Sequence, residues 1–146
     1  MRLLSLVLLI CLLSFIQSLG FSIFGVKLNL ALAAVIAASF FVANLWEGLL
    51  LVVLAALILK FAPGFESEIL IFSLIGAGAI LIKKYLPWHY FFSNLILIIL
   101  GTFIFYLFLA ANLILTTIFL KELVLNLIAG TLIFALLNFL WQNKIA

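Results

Sequence analysis

Apolar residues run through this chain in long unbroken blocks, such as "LNLALAAVIAASFFVA" and "NLILIILGTFIFYLFLAA", and polar residues collect in the gaps between them. The gaps fall at residues 20–27, 44–48, 60–68, 83–90 and 112–122. They predict six helical spans in a single domain, residues 1–146: 3–19, 28–44, 47–61, 69–83, 90–111 and 122–141. A helix needs roughly 20 apolar residues to cross a bilayer, within a range of about 17 to 25. Residues 28–61 are too long for one span and too short for two joined by a generous loop, so a tight turn is predicted at 44–48. A transmembrane barrel would alternate apolar and polar residues, and these blocks are continuous.

Composition turns that pattern into a membrane assignment. The chain has 146 residues, of which 71% are hydrophobic and 8% charged, with a mean hydropathy of +1.61. Soluble domains are about half apolar and about a quarter charged, so a water-facing surface could not be assembled from this sequence. Backbone groups in hydrocarbon must be paired internally, which makes the expected fold all-α: a bundle of six transmembrane helices. The first block, "MRLLSLVLLICLLSFIQSLG", has the look of a signal peptide, with "SLG" at 18–20 as a passable cleavage site. The membrane character of the remaining chain favours an uncleaved first span. Cys11 is the sole cysteine, so no internal disulfide can form, and Ile10 before it is too large for a lipoprotein signal.

The net charge of +3 comes from seven scattered Lys and Arg residues. Nucleic-acid binders gather such residues into a patch, so no nucleic-acid partner is expected. Membrane lipid is the expected surrounding. Cytoplasmic loops carry an excess of Lys and Arg. With both termini cytoplasmic, Arg2, Lys83, Lys84 and Lys144 lie inside and Lys27, Lys60 and Lys121 outside. That orientation is preferred. In "KKYLPWHYFF", Lys83, Lys84, Tyr85, Trp88 and Tyr90 read as interface anchors, with Pro87 starting the fifth helix. Trp46 and Trp141 are anchors of the same kind. In "KFAPGFESEIL", Glu66 or Ser67 could cap the fourth helix.

Glu47 stands inside "ANLWEGLLLVVLAALILKFAPG". An ionisable residue within a span is a functional hypothesis by default. Its neighbours Trp46 and Gly48 mark a boundary and a turn, and a carboxylate in the first helical turn meets the positive end of the dipole. Glu47 is therefore read as an interfacial residue and not as a catalytic group.

Chemistry is otherwise sparse. The chain has no aspartate, one histidine and one cysteine, and a metal site needs three or four convergent ligands. His89 and Ser93 could share a helix face, but no nearby acid orients the histidine as a triad requires. "GAGA" at 76–79 lacks the Lys and Ser/Thr of a phosphate loop. Glu66, Glu68 and Glu122 fall at predicted span ends. The expectation is a protein with no enzymatic activity, cofactor or metal.

Association is the stronger signal. Ala33, Ala34, Ala37 and Ala38 form two small-residue rows in the second span, and Ser73, Gly76 and Ala77 do the same in the fourth. Asn126, Gly130, Phe134 and Asn138 recur every four residues on one face of the sixth, and Thr102 and Tyr106 are paired on the fifth. In lipid, helices associate through small residues and interhelical hydrogen bonds. These faces are expected to hold the bundle together or to receive a partner.

Six short spans with almost no soluble mass resemble the rod shape-determining MreD family. "FIQSLG" is similar to the glutamine–serine that ends that family's first helix, and "VKLNLAL" to the stretch before its second. "ELVLNLIAGTLIFALLNFLWQNK" resembles its last span. The sequence departs from the family at Asn29, where an acidic residue is usual. It departs again in "LLLVVLAALILKF", where a glycine-rich span ends in aspartate. The resemblance implies a non-enzymatic subunit of a bacterial cell-shape complex, partnered by an MreC-like membrane protein. It also implies a fold similar to the substrate-binding subunits of vitamin-uptake transporters. A small-molecule binder of that transporter kind is the alternative, with Asn94, Asn112, Asn126, Thr102 and Tyr106 as the polar groups on offer.

Overall fold

A computed structural model describes residues 1–61 and 66–142, without the side chains of Glu66 and Gln142. The expectations for Lys144 and for a Glu66 cap lie outside the described residues. Six α-helices follow one another: α1 (Arg2–Ser18), α2 (Leu30–Ser39), α3 (Leu45–Lys60), α4 (Glu66–Ile82), α5 (Tyr90–Leu109) and α6 (Thr117–Gln142). Two of them, over Tyr90–Leu109 and Thr117–Trp141, are long and apolar enough to cross a membrane. The others are shorter, so the number of crossings does not follow from helix length.

The architecture is a bundle built around α2, which packs against all five other helices. Every residue from Ala31 to Ser39 is buried, and the alanine rows are what permit this. Ala33, Ala34, Ala37 and Ala38 present so little side chain that neighbouring backbones can close in from every direction. At ten residues and 1.5 Å per residue, α2 is about 15 Å long, half the thickness of a bilayer's hydrocarbon. The apolar run at 28–44 suggested a full span, but the helix begins later and ends at Ser39. Its end is fixed from outside: the Lys83 ammonium donates to the Ser39 carbonyl, where a cation meets the negative end of the helix dipole. Lys83 stands in the 3-10 turn Lys83–Tyr85 that follows α4.

Between α1 and α2 the chain makes a two-stranded antiparallel hairpin, β1 (Ser22–Ile23) and β2 (Val26–Lys27). Phe24 and Gly25 at its tip both have positive φ, 53° and 77°, the combination a type I′ turn requires. Phe24 is a bulky residue in a region such residues avoid, and it is exposed. The hairpin lies at the same end of the bundle as the start of α6, which packs against β2. The start of α1 and the last described turn of α6 lie at the opposite end, where Arg2 sits 5.1 Å from the centre of the Trp141 ring.

Close helix approach depends on glycines that accept a neighbour's branched side chain. A Cβ on Gly48 of α3 would lie 2.8 Å from Ile80 of α4, and one on Gly76 of α4 would lie 3.0 Å from Val52 of α3. Gly101 of α5 faces Ile36 and Ile75, both at 3.2 Å from the same notional atom. Gly130 of α6 is the tightest: a Cβ there would clash with Ile98 Cδ1 and lie 3.8 Å from Ala33 Cβ.

Candidate functional site

Helices α5 and α6 run antiparallel, and their polar residues meet rung by rung. Toward the hairpin end, the Tyr106 hydroxyl donates to Glu122 Oε2. One turn further in, the Asn126 amide donates to Thr102 Oγ1 at 3.2 Å. The next rung is the Gly130–Ile98 contact, and beyond it the Asn94 amide donates to the Gly130 carbonyl at 3.5 Å. Four-residue spacing on both helices sets this register, because residues four apart share a face. Asn94, Thr102, Tyr106, Glu122 and Asn126 are all buried.

Asn126 extends the ladder to the start of α2. Its Oδ1 accepts from the Asn29 backbone N–H at 3.1 Å. Asn29 caps α2, its Oδ1 accepting from the Leu32 N–H at 3.3 Å. Gln17, at the end of α1, completes the cap: its Oε1 accepts from the Ala31 N–H at 2.7 Å, and its amide donates to Asn29 Oδ1 at 3.3 Å. A helix that begins inside a bundle leaves N–H groups with no intrahelical partner. Gln17, Asn29 and Asn126 supply acceptors for them from three parts of the chain.

Beside this cap lies a cavity of about 230 Å³ at the hairpin end, lined by Gln17, Lys27, Asn29, Glu68, Tyr106 and Glu122 among others. Lys27 comes from β2, Glu68 from the first turn of α4, Tyr106 from the end of α5 and Glu122 from the second turn of α6. Lys27 is within electrostatic reach of Glu68, and Glu68 of Glu122. The wall therefore carries charges of both signs around a buried tyrosine–carboxylate pair, which suits it to polar recognition. Among the described residues no three His, Cys, Asp or Glu side chains converge as a metal site would require.

The residues singled out for packing are distributed unevenly. Asn126, Gly130 and Phe134 are buried, whereas Asn138 is half-buried. Phe134 sits in an aromatic cluster with Phe40, Phe41 and Phe91, at centroid distances of 6.0, 5.2 and 6.1 Å. Gly76 faces α3 and α2, while Ser73 and Ala77 are half-buried. Trp46, Lys84, Tyr85, Trp88 and Tyr90 are exposed, and Lys84 Nζ lies 5.1 Å from the Tyr85 ring centre. Trp141 is different: it is 8% exposed, packed on Phe41 at 5.2 Å and covered by Arg2.

Glu47 is half-buried in the first turn of α3, with Oε2 accepting from the Ala43 N–H at 2.9 Å. It secures a helix start. His89, and not Pro87, begins α5: it is the N-cap, and its Nδ1 accepts from the Phe91 N–H at 3.3 Å. The Ser93 hydroxyl donates to the Trp88 carbonyl at 3.2 Å, so it is not engaged with the imidazole. Asn112 is exposed, in the 3-10 turn Ala111–Leu113.

Sequence reasoning missed the charged cavity. It placed Glu122 at the end of a span, but α6 starts five residues earlier at Thr117, and this carries Glu122 onto the inward face. The signal was available, since Glu122 continues the Asn126–Gly130–Phe134 row by one more step of four. Comparison of the chain with protein-family models, curated proteins and solved structures finds no match.

Proposed function

We propose that this is a multi-pass membrane protein whose six helical segments lie in a bacterial inner membrane, with both termini cytoplasmic. We infer that it serves as a non-enzymatic scaffold subunit of a cell-shape or cell-wall elongation complex, with an MreC-like membrane protein as partner. One observation carries the reading. Gln17, Asn29 and Asn126 come from the three segments that resemble the MreD family, and they meet in one hydrogen-bonded cap. The cap joins the start of α2 to α1 and α6 through side chains of those three segments, with Asn29 standing where the family usually has an acid. The orientation is supported by Lys83 and Lys84 standing at the same end of the bundle as Arg2 and Trp141.

The test is co-purification in mild detergent from cells that express the tagged chain at native level. Recovery of a bitopic MreC-like protein is the expected result, and reporter fusions at both termini should give cytoplasmic signals. Recovery of a paired ATPase module instead would favour the second reading, a binding subunit of an uptake transporter. The cavity at the hairpin end is the observation in favour of that alternative, since on this topology it would open away from the cytoplasm.

A further inference from the structure

Glu122 is only 9% exposed, yet it lines the cavity at the hairpin end. One carboxylate oxygen accepts from Tyr106, and among the described residues no cation pairs with it. A second acid, Glu68, lines the same cavity and is within its electrostatic reach. A buried carboxylate without a counter-charge is costly to keep, and packing alone would be better served by a glutamine or leucine. The wall of the same cavity also carries Lys27, so the site offers two acids and one base to whatever enters.

Size narrows the occupant. Ligand pockets for drug-sized molecules begin at about 300 Å³, and this cavity holds about 230 Å³. We propose that the cavity binds a small ammonium–carboxylate zwitterion of the size of glycine or alanine. Glu122, supported by Glu68, receives the ammonium group, and Lys27 receives the carboxylate. Charge-assisted hydrogen bonds of this kind are stronger than neutral ones, and a wall that carries both signs of charge suits a zwitterion better than a simple ion. The inference goes beyond the scaffold role and gives the second reading a ligand class.

The experiment is calorimetric titration of the purified full-length chain in nanodiscs with alanine, glycine, ethylamine, propionate and magnesium chloride. Alanine and glycine should bind, ethylamine should bind more weakly, and propionate should not bind. Glu122→Gln should weaken alanine about tenfold or more, the loss expected of one charge-assisted hydrogen bond. Lys27→Gln should weaken alanine similarly while leaving ethylamine unchanged, which separates the two ends of the ligand. Glu68→Gln gives a second acid variant should Glu122→Gln fail to fold. Alanine affinity unchanged in the folded acid variants, propionate binding as well as alanine, or heat from magnesium alone would overturn the proposal. So would silence from both zwitterions with the folded wild-type chain. The scaffold reading is tested separately by co-purification, and its failure would leave this binding result standing.

Discussion

The Asn29 backbone N–H donates to the side-chain oxygen of Asn126 at 3.1 Å, joining residues 97 positions apart in the chain. This bond ties the start of the central helix to the polar rung between α5 and α6. Asn126 is used from both sides: its oxygen accepts from Asn29 and its amide donates to Thr102. A carboxylate at that position would lack the donor, and a leucine would lack both donor and acceptor.

Replacing Asn126 by leucine should therefore destabilise the bundle by about 1–3 kcal/mol, the cost of leaving a buried polar group unsatisfied. Thr102→Val should cost less, since it removes one acceptor and keeps the shape. Reversible unfolding in mixed micelles would measure both, and an Asn126→Leu protein as stable as wild type would contradict the cap.

Gly130 and Ile98 give a sharper test because the clash is confined to one methyl group. A Cβ at Gly130 would clash with Ile98 Cδ1 and lie 3.4 Å from its Cγ1. Gly130→Ala should cost about 1–3 kcal/mol through overpacking. Ile98→Val removes Cδ1 and alone should cost about 0.5–1.5 kcal/mol. The double variant should be more stable than the sum of the two losses predicts, a coupling readable in a double-mutant cycle. Leu132→Ala, on an exposed face of the same helix, should matter less than Gly130→Ala.

The helices were legible because apolar runs and polar gaps dominate the sequence, and the association faces because small and amide residues repeat every four positions. The half-length of α2 was not. Its apolar run continues through Phe40 and Phe41 to Val42, yet the helix ends at Ser39, whose carbonyl accepts from Lys83, 44 residues away in the chain. The cavity was hidden for a related reason. Lys121 and Glu122 look like a polar gap, yet Lys121 points out while Glu122 turns inward onto Tyr106. Lys27 and Glu68 reach the same cavity from a hairpin and a helix start that no local pattern connects.

Two adjacent lysines should behave differently. Lys83 is half-buried and holds the Ser39 carbonyl, whereas Lys84 is exposed beside Tyr85. Lys83→Met should lower stability by about 1–3 kcal/mol, since it strands a buried helix-end carbonyl. Lys84→Met should stay within about 0.5 kcal/mol of wild type. Equal losses from the two substitutions, read by thermal unfolding in detergent, would count against the capping of α2 by Lys83.

Glu47 offers the opposite kind of prediction, one of tolerance. Its Oε2 accepts from the Ala43 N–H at 2.9 Å, and a glutamine at the same place keeps an oxygen that can accept. What Glu47→Gln loses is the negative charge in the first turn of α3, worth about 0.3–1 kcal/mol against the helix dipole. Glu47→Ala loses the acceptor as well and should cost about 1 kcal/mol, as removal of a helix-start partner does. The two variants should therefore rank in that order by thermal unfolding, with glutamine close to wild type. A glutamine variant that folds normally yet loses the protein's cellular role would show that the charge itself is used, and would restore Glu47 as a functional carboxylate.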